Sequence, residues 1–64
     1  MIFCVDIRER ESGNTVETIL ETSDYDNAWD MVNQYDKGYG KGKEYLNLYP
    51  KNKYFADVFN DETR

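Results

Sequence analysis

The chain has 64 residues, a single cysteine, no histidine and a formal net charge of −5. A chain this short makes one domain and buries only about 60% of the surface its unfolded form exposes. Cys4 alone excludes an internal disulfide, the missing histidine removes the common zinc-site patterns, and the acid excess argues against broad affinity for nucleic acid or anionic membrane.

Met1 leads straight into a strand-like run, with no basic-then-apolar leader and no apolar stretch of membrane-spanning length. Together with one free thiol, this predicts a cytoplasmic protein without membrane association. Neither a cofactor nor a metal is expected. A small core lacking disulfide and metal leaves a partner, or a second copy, as the remaining source of added stability.

Ile2 to Glu9 reads as a strand, because Phe3, Val5 and Ile7 alternate with Cys4, Asp6 and Arg8. Ser12, Gly13 and Asn14 mark a turn. Thr15 to Thr22, rich in β-branched residues, reads as the second strand. A two-residue turn at Ser12-Gly13 or Gly13-Asn14 puts Phe3, Val5 and Ile7 on one face with Val16 and Leu20. Both registers also set an arginine, Arg8 or Arg10, opposite Glu17.

Ser23 is a good N-cap for the helix that follows, and Asp24 and Asp26 suit its positive end. Tyr25, Ala28, Trp29, Val32 and Tyr35 form an apolar stripe flanked by Met31, with Trp29 as the core anchor. Gly38 is a natural C′ residue. Gly38 to Lys43 reads as a flexible connection, Glu44 to Tyr49 as a third strand, Pro50 to Lys53 as a turn and Tyr54 to Phe59 as a fourth strand. The expected fold is therefore α+β: a ββαββ domain over residues 1–59, with a four-stranded antiparallel sheet, one amphipathic helix on one face and a polar tail at 60–64.

Loop length decides the second hairpin. A two-residue loop at Lys51-Asn52 sets Leu46 opposite Asp57 on the core face, at the cost of a buried charge. A three-residue loop sets Leu46 and Leu48 beside Tyr54, Ala56 and Val58 and sends Asp57 outward. The second arrangement is preferred, and it leaves Tyr45, Tyr49, Phe55 and Phe59 on the face away from the helix, a large apolar patch for a monomer.

Three charged features could carry chemistry. The run Lys37-Gly38-Tyr39-Gly40-Lys41-Gly42-Lys43 has the glycines and lysines of a phosphate cradle. It follows a helix, however, whereas a P-loop follows a strand, so a helix stop and solvated loop is the plainer reading. The segment from Lys37 to Lys53 holds five lysines (Lys37, Lys41, Lys43, Lys51 and Lys53) and one acid, whereas the remainder holds three arginines and twelve acids. With Tyr39, Tyr45, Tyr49 and Tyr54 interleaved, the segment has the ingredients of a single-strand nucleic-acid site. Glu17, Glu21, Asp24, Asp26 and Asp30 form an acidic face, which suits either solvation or a basic groove on a partner. Cys4 would need a base beside it to act as a nucleophile and the chain has no histidine to serve, so it reads as a small strand residue.

In its length, its hairpin–helix–hairpin layout and the segment Asp26-Asn27-Ala28-Trp29, the chain resembles the short acidic proteins of phages and other mobile elements. That resemblance implies a host-directed binding protein and carries over no site residues. The function expected is that of a non-enzymatic protein-interaction module, a homodimer or a binder of another protein. It would use the face of Tyr45, Tyr49, Phe55 and Phe59, the acidic face, or both. The alternative is a small single-stranded nucleic-acid-binding domain built on the Lys/Tyr segment 37–54.

Overall fold

A computed structural model of the chain describes residues 1–62. Its elements run β1 (Phe3–Glu9), β2 (Thr15–Thr22), α1 (Tyr25–Lys37), α2 (Gly40–Leu48) and β3 (Tyr54–Asn60). The order is ββααβ, and the sheet has three antiparallel strands in the order β2-β1-β3. The fold is α+β as expected, but the sheet has three strands rather than four: α2 stands where the third strand was predicted, so the second hairpin is not formed, and the predicted fourth strand is β3. The chain forms a flat two-layer body of 30 × 27 × 12 Å. No helix among the described residues is long and apolar enough to cross a membrane.

The first hairpin forms with a corrected register. Phe3 faces Thr22 and Val5 faces Leu20, as a Ser12-Gly13 turn requires, but the pairing then slips twice, leaving Ile19 and Val16 without cross-strand partners. These two bulges change the faces. Ile19 joins the core, whereas Val16 is 45% exposed. Glu17 comes opposite Ile7 instead of an arginine.

β1 is the central strand, which explains why Cys4, Val5, Asp6 and Ile7 are buried in succession rather than alternately. Toward the helices, Val5 and Ile7 join Ile19, Ala28, Met31, Val32 and Tyr35 in the core. β3 runs beside β1 in unbroken register, Val5 to Val58 and Ile7 to Ala56. Tyr54, Ala56 and Val58 therefore pack on the core, and Phe55, Asp57 and Phe59 turn to the other face.

α1 is capped by Asp24 rather than Ser23. The Asp24 carboxylate accepts from the backbone N–H groups of Asp26 (3.0 Å) and Asn27 (3.3 Å). The buried stripe is Ala28, Met31, Val32 and Tyr35, so the helix is rotated toward Met31, and Trp29 lies at the border, 38% exposed. Gly38 ends α1 in the left-handed region at φ 73°, as expected of a C′ glycine.

α2 replaces the predicted connection and strand because its residues favour a helix. Gly40 to Leu48 contains no β-branched residue, and Lys, Glu and Leu are good helix formers. Tyr45, Leu46 and Tyr49, at helical spacing, pack against the core. Gly42 is buried where the helices cross: a Cβ there would stand 2.2 Å from the Gln34 carbonyl carbon. Pro50 then stops the helix, and its carbonyl accepts from the N–H groups of Lys53 and Tyr54, both at 3.0 Å. Asn60, predicted as tail, is the last residue of β3; residues 63 and 64 of that tail lie outside the described residues.

Candidate interaction surface

The predicted aromatic face comes apart. Tyr45 and Tyr49 belong to α2 and its C-cap and pack on the core side, so they do not share a face with Phe55 and Phe59. The Tyr35 hydroxyl donates to the Tyr49 carbonyl, and the Tyr49 hydroxyl donates to Glu17 Oε1 at 2.6 Å. This chain ties α1, the end of α2 and β2 together.

Phe55 and Phe59 do lie on the face without helices, but arginines roof them. The Arg8 guanidinium sits 4.6 Å from the centre of the Phe59 ring, and that of Arg10 sits 5.5 Å from Phe55. Both rings are half-buried rather than fully exposed. Beneath them Asp6 is wholly buried and accepts from Thr18 Oγ1 at 2.7 Å and Thr15 Oγ1 at 3.5 Å. Arg8 Nε is buried without a hydrogen-bond partner; stacking on Phe59 is the compensation available to it.

All five lysines are exposed. Lys37 ends α1, Lys41 and Lys43 stand in the first turn of α2, and Lys51 and Lys53 lie in the turn before β3. Lys51 Nζ donates to the Asp36 carbonyl at 2.6 Å. The rings meant to interleave with them turn inward: Tyr45, Tyr49 and Tyr54 pack on the core, and only Tyr39 of that set stands out, 46% exposed. Within the glycine run, Gly38 stops α1 and Gly42 lets α2 cross it.

The acidic set divides as well. Glu17 bonds Tyr49, and Glu21 stands opposite Cys4 on the far side of the sheet. Asp24, Asp26 and Asp30 remain together along the exposed flank of α1, where Asp30 accepts from Gln34 Nε2 at 2.9 Å. No group of three or more Cys, Asp or Glu side chains among the described residues could hold a metal ion. A shallow cleft lined by Glu9, Arg10, Glu11, Asn52, Lys53 and Tyr54 opens at one end of the sheet. Arg10 Nε is already committed there to the Lys51 carbonyl at 2.6 Å.

One surface emerges that the sequence reading had placed in the core. Phe3, Tyr25 and Trp29 form a chain of edge-to-face contacts, with centroids 5.2 Å apart for Phe3–Tyr25 and 6.3 Å for Tyr25–Trp29. Tyr25 is 54% exposed. The i, i+4 spacing of Tyr25 and Trp29 could have shown that they share a flank of the helix. What the sequence could not show is that the core selects the Met31 side.

Comparison with protein-family models, with curated proteins and with solved structures returns no match. The hairpin–helix–hairpin layout behind the likeness to short phage proteins is also not the layout of this chain.

Proposed function

We propose that the chain is a non-enzymatic interaction module that binds another protein through the Tyr25–Trp29 flank of α1. The observation that carries this reading is the partial exposure of Trp29 and Tyr25 on a helix whose other face is fully used by the core. Tryptophan and tyrosine are the residues most enriched among interface anchors. A chain this small has little reason to leave them in water.

Asp24, Asp26 and Asp30 rim these rings. Acidic rims steer toward cationic partners and repel one another. A two-fold pairing of this flank with a second copy would set aspartates against aspartates, so the reading favours a different protein whose apolar pocket is bordered by Lys or Arg. That apolar pocket would receive the helix by its i, i+4 anchors Tyr25 and Trp29, as in other helix-in-groove complexes.

The test compares capture of binding proteins by the wild-type chain, by Tyr25→Ala/Trp29→Ala and by Lys41→Glu/Lys43→Glu. The expected outcome is a partner retained by wild type and by the lysine variant and lost by the aromatic one, with both variants folded by circular dichroism. Retention by the aromatic variant, or loss on changing the lysines alone, would overturn the assignment of the surface.

A further inference from the structure

The two outer strands of the sheet are finished differently. β2 carries two bulges, which break up a pairing edge. β3 is regular over all seven residues, contains neither Lys nor Pro, and pairs with β1 without a slip. The hydrogen bonds at its ends set the phase of the ladder. Arg10 N–H donates to the Lys53 carbonyl at 2.8 Å, and Asp61 N–H donates to the Ile2 carbonyl at 3.1 Å. Because bonded residues alternate along an antiparallel strand, Phe55, Asp57 and Phe59 direct their backbone groups at β1. Ala56 and Val58 direct theirs at the free edge.

That edge is nearly its own complement. Around Asp57 the strand reads Tyr54-Phe55-Ala56 on one side and Val58-Phe59-Asn60 on the other. The antiparallel register that overlaps all seven residues of two copies is centred on Asp57. In it, Ala56 of one copy exchanges backbone bonds with Val58 of the other, and Phe55 lies beside Phe59. Asp57 meets Asp57 at the close spacing of a non-hydrogen-bonded pair. Asp6 on β1 is paired directly with Asp57, so four carboxylates would line up across the joined sheets. Asp57 also occupies the edge directly: its Oδ1 accepts from Val58 N–H at 2.8 Å, a donor the second copy would need.

We infer that Asp57 is the guard of the β3 edge, and that without it two copies of this chain join β3 to β3 in one continuous sheet. This rests on the edge alone and is independent of the α1 surface.

The test is sedimentation velocity on the full chain, with amide exchange read by NMR, for wild type, Asp57→Ala and Asp57→Thr. The threonine variant keeps strand propensity should the alanine variant fold poorly. The wild type is expected to leave the Ala56 amide unprotected. Either Asp57 variant should associate at least about tenfold more tightly than wild type, a shift of about 1.4 kcal/mol, in keeping with removal of directly opposed like charges. Protection should appear at Ala56 and Val58 as the dimer forms. Adding Ala56→Pro, which removes an edge N–H and leaves the β1 ladder intact, should abolish the association. Folded Asp57 variants that remain as monomeric as wild type would overturn the inference. So would dimers in which the Ala56 and Val58 amides stay unprotected, or a wild type whose Ala56 amide is already protected.

Discussion

Gly42 shows how much a single side-chain-free position controls. A methyl group there would lie 2.2 Å from the Gln34 carbonyl carbon and 2.3 Å from the Tyr35 nitrogen. Those are backbone atoms in the middle of α1, so relief requires moving one helix off the other. Gly42→Ala is expected to cost about 2–3 kcal/mol, toward the upper end of overpacking effects and a large share of the stability of so small a domain. Urea unfolding of the variant measures it. Gly13→Ala is the control: nothing lies within 4 Å, and only its φ of 74° opposes a side chain, so about 1 kcal/mol is expected. Equal losses at the two positions would mean that α2 does not cross α1 at Gly42. The glycine-rich run was legible in sequence as a helix stop at Gly38. The crossing at Gly42 was not, because a close approach between helices leaves no local pattern.

At the scale of elements, local chemistry was a good guide where one period dominated and a poor one where two competed. The alternation in β1 and the turn residues after it are strong enough to show the hairpin, and the spacing of Ala28, Val32 and Tyr35 shows α1. In Glu44 to Tyr49, the leucines at 46 and 48 match a strand while Tyr45, Leu46 and Tyr49 match a helix. The strand reading gave weight to Leu48, which is 67% exposed and packs on nothing in the core. Two bulges in β2 likewise moved Ile19 inward and Val16 outward, and parity alone could not foresee that. The rotation of α1 makes a measurable contrast. Met31 is 7% exposed and Trp29 is 38% exposed. Met31→Ala is therefore expected to cost about 2–4 kcal/mol, within the range for a buried methionine, and Trp29→Ala only about 1–2 kcal/mol despite its larger ring. Thermal melts of the two variants check the order. A reversal would return Trp29 to the core and remove the basis for reading its flank as a binding surface.

For the whole molecule, the tyrosine chain adds polar links between the two helices and the outer strand to the apolar core they share. Tyr35 donates to the Tyr49 carbonyl, and Tyr49 donates to Glu17 on β2. Burial, reinforced by the Asp36 charge, pushes the Tyr35 hydroxyl above its ordinary 10.0. For Tyr49 the hydrogen bond to Glu17 is the larger cause, with burial second, and its direction is also upward from 10.0. Both hydroxyls are neutral when protonated. Ionising Tyr35 would strand a charge in the core, and ionising Tyr49 would set an anion against Glu17. Since the folded state holds these protons more tightly than the unfolded chain, their stabilisation is complete below about pH 10. It is lost as pH rises through the raised folded-state values. Tyrosinate absorbance followed together with helical circular dichroism should show Tyr35 and Tyr49 ionising late, above the ordinary 10.0, and together with loss of helix. Tyr49→Phe should remove one of the two late groups. It should also lower stability at neutral pH by about 1 kcal/mol, the typical worth of one hydrogen bond. If Tyr35 and Tyr49 ionise before any helix is lost, the links from Tyr35 through Tyr49 to Glu17 do not hold the layers together, and the alkaline limit of the fold must come from elsewhere.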